Sequence, residues 1–162
     1  MTTLRAVRHR DDDYRSFFDP ITGLPKRSLL RDRLIMSLSR ARRDNSYVGL
    51  ISVSVAFEPL RSNQATITAL RDVAIRLTSL LRPDDTAARV EDAAAFIVVC
   101  NDLAADDHLD AIAMRLHTEL SMTLAFDSEP VEVLVVVTSQ LAGFDDDPER
   151  LLDDAARAAL SQ

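Results

Sequence analysis

Between Tyr47 and Phe57 the sequence alternates strictly, so that Ile51, Val53, Val55 and Phe57 share one face of an extended segment while Ser52 and Ser54 share the other. A period of two, carried largely by β-branched residues, specifies a strand near the middle of a sheet. On either side the period changes. Leu30, Leu34, Leu38 and Ala41 recur at helical spacing within Pro25–Arg43 beneath an arginine-rich outer face. Ile67, Leu70, Ala74, Leu77 and Leu81 form a second stripe from Gln64 to Leu81, with Pro83 where a helix should stop. A strand with an amphipathic helix before and after it must bury a stripe from each helix, which requires layers of helix on sheet.

The remaining segments complete that layering. Ala87–Glu91 and Ala95–Cys100 read as two strands joined around Asp92, Ala93 and Ala94. Leu109, Ile112, Leu116 and Leu120 mark a third helix, which the acidic stretch from Asp102 to Asp110 is expected to open. Met122–Phe126 and Val131–Thr138 read as a further strand pair across Asp127, Ser128, Glu129 and Pro130. A last helix begins at Pro148 and Glu149 and buries Leu152, Ala155 and Ala159. The expected fold class is α/β, with a palm-like or ferredoxin-like, mostly antiparallel central sheet flanked by helices. Residues 1–18 alternate basic and acidic blocks without an apolar period and read as an arm or the stub of a connecting helix; the folded domain is expected to span 19–162.

Composition removes several classes of function. The 162 residues contain three glycines, Gly23, Gly49 and Gly143, so neither a Walker A loop nor a GxGxxG phosphate cradle can be written. The single Cys100 excludes a disulfide framework and a multi-thiolate zinc site, which fits a reducing compartment and a cytoplasmic location. No apolar run reaches the roughly 20 residues of a membrane span, and the first residues lack the apolar centre of a signal peptide. Charge is uneven: residues 1–43 hold eleven Lys and Arg against five Asp and Glu, and the remainder is strongly acidic within a net charge of −7. An acidic body repels nucleic acid, and the basic part reads as a solvated helix face.

Three stretches carry a resemblance. Asp19-Pro20-Ile21-Thr22-Gly23-Leu24-Pro25-Lys26-Arg27 resembles the DxLTGLPNR opening of the GGDEF family, the diguanylate cyclase domains of bacterial signalling. Arg82-Pro83-Asp84-Asp85, continuing to Arg89, is similar to the RxxD segment that leads into that family's signature hairpin. The closing segment from Leu151 to Leu160 resembles its LLxxADxAMY helix.

The resemblance also implies what an active member needs, and the sequence departs from it. The signature hairpin should spell GGDEF, whose glycines let the backbone approach GTP and whose acidic residue holds two divalent metals. Here Arg89 and Val90 are followed by Glu91, Asp92, Ala93, Ala94, Ala95 and Phe96, one residue longer. A Cβ crowds a phosphate surface and disfavours positive φ. The first strand should supply a second carboxylate, but its polar positions are Ser52 and Ser54, and hydroxyls are weak Mg²⁺ ligands beside carboxylates. Where guanine recognition would need an acceptor, Ile67 offers an alkyl group, at a cost of about 1–3 kcal/mol for each unpaired group. The expected reading is a degenerate GGDEF domain with no catalytic residues, no metal and no cofactor, acting through a protein partner. A homodimer is the geometry that the resemblance implies. The alternative is a residual cyclase or another GTP-using enzyme whose Mg²⁺ is held by Glu91 or Asp92.

One ligand site survives in this reading. Arg82 and Asp85, with Arg89 as an accessory residue, match the RxxD inhibitory site at which the family binds cyclic di-GMP, a guanidinium forking to guanine or phosphate and a carboxylate accepting from guanine N–H groups. Local chemistry offers a plainer account, in which Pro83 to Asp85 ends a helix and Arg82 complements its negative terminus. Other constellations are read as structural: Asp106, Asp107, His108 and Asp110 as dipole-compensating residues, His117 as a half-buried or surface imidazole, Cys100 as a buried hydrophobe, and Asp145 to Asp147 as a helix cap.

Overall fold

The computed structural model describes residues 14–59, 62–126 and 129–161. Its first helix, α1, spans Arg27–Asp44 and buries Leu30, Leu34, Leu38 and Ala41. Asn45 ends it in the left-handed region, at φ 54°. Strand β1 follows at Tyr47–Glu58 and helix α2 at Asn63–Leu80, whose N-cap Ser62 accepts from the Ala65 amide. Strands β2, Thr86–Arg89, and β3, Ala95–Leu103, form the hairpin. Helix α3, Asp106–Leu120, strands β4, Thr123–Phe126, and β5, Glu129–Ala142, and helix α4, Pro148–Leu160, complete the chain.

The five strands form one sheet in the order β2-β3-β1-β5-β4, with every neighbouring pair antiparallel. The alternation of β1 divides the core. Ile51, Val53, Val55 and Phe57 pack with α2 and α3, whereas Val48 and Leu50 pack with α1 and α4 on the opposite face. Gly49 is needed where α3 crosses the sheet, because an added methyl would overlap both δ-carbons of Leu109. The palm-like antiparallel architecture expected from periodicity is the one present.

Some boundaries differ. Asp102 lies within β3 at φ 52° and does not open α3, whose first turn carries Asp106 and Asp107. Strand β2 ends at Arg89, leaving Val90 and Glu91 to the turn. Glu129 and Pro130 belong to β5, which runs on to Ala142 because pairing with β1 continues to Val48. Ile67 and Leu81 are only partly buried. Most of the N-terminal arm, residues 1–13, lies outside the described residues. Phe17 and Phe18 are engaged with the fold: the Lys26 amide donates to Phe17 O, and Phe18 bridges to Pro25.

Candidate functional site

The loop from Asp19 to Leu24 and the β2–β3 hairpin are held together by a partly buried ion pair. Asp19 Oδ2 accepts from both the amide and the hydroxyl of Thr22, each at 2.7 Å, while Asp19 Oδ1 lies 3.1 Å from Arg89 Nη1. Gly23 closes the loop at φ 72°, its amide donating to Asp19 O. Burial acts to raise the Asp19 carboxyl, but the Thr22 hydrogen bonds and the Arg89 charge outweigh it and hold the group below its ordinary 3.8. Arg89 Nε donates to Ala93 O, and the Arg89 amide to Pro25 O. The guanidinium therefore clamps the hairpin to the loop.

The signature hairpin turns without glycine. The Val90 amide donates to Ala95 O, the Ala93 amide donates to Val90 O, and Asp92 takes φ 58°. Asp tolerates the left-handed region better than most residues, so the conformation expected to be barred is reached at some strain. Glu91 and Asp92 are exposed, and Ala94 O accepts from the Val55 amide. Beside the turn lies a hollow of about 540 Å³, with Lys26 and Arg27 at the start of α1, Glu91 and Asp92 on the hairpin, and an apolar floor that includes Ile97 and Ala156.

Ser52 lies in the centre of the sheet, between Ile97 of β3 and Thr138 of β5, on the face that α4 covers. Its hydroxyl is buried and donates to Ala155 O at 2.8 Å. Ser54, two residues on and on the same face, is half-buried opposite Ala95 and Val136. Among the described residues no three His, Cys, Asp or Glu side chains converge as metal ligands would. A divalent pair calls for several carboxylates; Ser52, Ser54, Ala93, Ala94 and Ala95 supply hydroxyls and methyls, and the two carboxylates of the hairpin, Glu91 and Asp92, are exposed on its turn.

At the RxxD segment the structure brings Arg82 and Asp85 together. Asp85 Oδ2 accepts from the Arg82 amide at 3.2 Å and lies 3.8 Å from Arg82 Nε; Asp85 Oδ1 accepts from the Asn101 amide at 3.0 Å. The Asp85 side chain is 3% exposed and that of Arg82 52%. The carboxylate thus ties the turn to β3 while the guanidinium faces solvent. Nearby, a groove of about 290 Å³ is lined by Arg33, Met36 and Arg40 of α1 and by Pro83, Asp84 and Thr86. Helical periodicity marks α1 as amphipathic but not its flank against this turn, so Arg33 and Arg40 were not legible as neighbours of the motif.

The demoted constellations separate. Asp106 accepts from the Asp107 amide, Asp110 accepts from Ser139, and His117 is exposed. Asp147 caps α4 through the Glu149 and Arg150 amides. Cys100 is fully buried, and burial, with Asp85 nearby, pushes its thiol up to about 12.

A five-stranded antiparallel sheet between two helix layers, with an Asp–Arg clamp at the β2–β3 hairpin, defines a palm-type α/β domain. The family model described as "Diguanylate cyclase, GGDEF domain" matches residues 16–162, and the chain belongs to the GGDEF family. None of the curated proteins matches it. Solved structures do. A sensory box/GGDEF family protein from Caulobacter crescentus CB15 superposes with a TM-score of 0.80 at 24% identity, covering 90% of this chain and 96% of that one. The diguanylate cyclase SiaD from Pseudomonas aeruginosa, in complex with its activator SiaC, gives 0.77 at 21% identity, covering 98% and 66%. The coiled coil and GGDEF domain of DgcB from Caulobacter crescentus, in complex with c-di-GMP, gives 0.77 at 17% identity, covering 98% and 87%.

Proposed function

We propose that this GGDEF domain is a noncatalytic signalling module that works through contacts with a protein partner and takes cyclic di-GMP at Arg82 and Asp85. The observation that carries the first half is Ser52. It is one of the two polar positions of β1 at which the resemblance would expect a metal-binding carboxylate, and its hydroxyl is spent on a helix carbonyl. The half-exposed Arg82 guanidinium supports the second half, because a guanidinium that reaches solvent beside Asp85 can fork to a guanine edge or a phosphate while Asp85 fixes the turn beneath it. DgcB bound to c-di-GMP and SiaD bound to its activator support the same two kinds of contact. The absence of a helix long and apolar enough to cross a membrane, among the described residues, is compatible with a role in the cytoplasm.

Two measurements test the reading. Purified protein incubated with GTP and Mg²⁺ or Mn²⁺ is expected to form no cyclic di-GMP above a blank; turnover that Asp92→Ala abolishes would establish the alternative enzyme. Calorimetric titration with cyclic di-GMP is expected to give saturable heat that Arg82→Ala removes. A flat titration of the native protein rejects the ligand and leaves the protein contact as the whole function.

A further inference from the structure

Strand β5 runs on well past its pairing with β4. Strand β4 covers Glu129 to Glu132, and the last bond on that side joins the Val133 amide to Met122 O. From there to Ala142 the pairing with β1 continues alone. Two bonds fix which backbone groups face outward. The Val55 amide turns to Ala94 O on the β3 side, so Ser52 and Ser54 turn to β5, and their partners Thr138 and Val136 turn back to them. The odd-numbered positions of β5 therefore point away from β1, as the Val133 bond requires. Among the described residues no strand meets the N–H and C=O groups of Val135, Val137, Ser139 and Leu141.

Proteins ordinarily blunt such an edge with a lysine, a proline or a bulge. Val133 to Ala142 contains no charged residue and no proline, and its register with β1 is unbroken. Leu134 and Val136, 44% and 42% exposed, stand beside the edge on the face that α4 shares. The cations of α4 on that face, Arg150 and Arg157, are both engaged by Asp154. On the other face lies α3. Ser139 donates to Asp110, and helical spacing puts Asp106, Met114 and His117 on the same flank as Asp110, all four exposed. Arg115 and Glu119 lie on the opposite flank, where they bond Leu80 O and Arg76 of α2. The flank beside the edge is thus acidic, with an exposed methionine in its middle.

We infer that a protein partner docks here by strand addition. An extended segment pairs its backbone with Val135 to Leu141, lays apolar side chains over Leu134 and Val136 on one face, and sets Lys or Arg against Asp106 and Asp110 on the other. The inference gives the protein contact of the proposed function a place and rests on that reading. A basic, apolar strand fits better than a second copy of this chain, because two β5 edges paired about a two-fold axis would bring the acidic flanks of α3 side by side.

The probe is a synthetic peptide of about seven residues that alternates valine and lysine and is blocked at both ends. Residue-resolved amide hydrogen exchange of the full chain, with and without peptide, reads the edge directly. In the free protein Val135, Val137, Ser139 and Leu141 should exchange faster than Val136 and Thr138 between them, and saturating peptide should slow the faster set. Titrations of labelled peptide then weigh the contacts, with circular dichroism to verify the fold of each variant. Ser139→Pro removes an outward amide and leaves the β1 ladder whole, so it should weaken binding at least about tenfold. Asp110→Lys should weaken it as well, and so should glutamate in place of lysine in the peptide. The absence of saturable binding overturns the proposal, as does binding indifferent to Ser139→Pro and Asp110→Lys. Outward amides already protected in the free protein also overturn it, and protection lost on dilution assigns the edge to a second copy. A noncatalytic module that meets its partner elsewhere survives all of these failures, and the GTP incubation and the cyclic di-GMP titration judge that reading separately.

Discussion

Asp19 and Cys100 are both acidic groups shifted by their surroundings, in opposite directions and for different reasons. For Asp19 the hydrogen bonds of Thr22 and the charge of Arg89 exceed the cost of burial. A carboxyl held below its unfolded value contributes stability that is fully present above about pH 4 and is lost as pH falls through the depressed folded value. Asp19→Asn should therefore destabilise the protein at neutral pH by about 1–3 kcal/mol, and the difference from the native protein should narrow below pH 4; denaturant titrations over that range check it. A gap of constant size would show that Asp19 is not ionised in the clamp. For Cys100, burial and the Asp85 charge outweigh the opposing charge of Arg82, and the thiol rises to about 12. It should resist alkylation at pH 8 in the folded state and react fully once denatured, a contrast that mass spectrometry reads directly.

At the scale of elements, the parts with strong periods were legible and the parts set by remote partners were not. The stripe of α1 and the alternation of β1 follow from side-chain spacing alone, and every residue assigned to the α1 stripe is buried. The end of β5 could not be read because Ser139 and Gln140 carry no strand signal; they are extended because β1 pairs with them through Ile51 and Leu50. The RxxD spacing was visible, but the role of Asp85 depends on an Asn101 amide sixteen positions away. Loss of the hairpin glycines suggested that positive φ would be avoided, yet Asp92 adopts it at 58°. That strain is testable. Asp92→Gly should stabilise the domain by up to about 1 kcal/mol by removing the Cβ from a left-handed residue, whereas Asp92→Val should destabilise it. Thermal melts of the two variants moving in the same direction would contradict the strained turn.

For the whole molecule, the covering of the sheet decides what a carboxylate on β1 would meet. Ser52 and Ser54 share a face of β1, so their chemical identity gives no reason to treat them differently. Their surroundings do: α4 lies over Ser52 and takes its hydroxyl, while Ser54 sits nearer the hairpin and is half-buried. An aspartate placed at the first position loses the hydroxyl donor to Ala155 O and brings a charge under α4. Ser52→Asp is thus expected to cost about 3 kcal/mol or more near neutral pH, with part of the loss recovered in mild acid as the new carboxyl protonates. Ser54→Asp should cost about 1 kcal/mol or less. Neither is expected to confer cyclic di-GMP synthesis, because the hairpin supplies no matching glycines and its acidic residues face solvent. Urea titrations of both variants at neutral and acidic pH, followed by incubation with GTP and Mn²⁺, separate the two cases. Equal stability losses at the two serines would mean that α4 does not seal this face, and synthesis by either variant would mean that the fold had kept a working metal site lacking only one ligand.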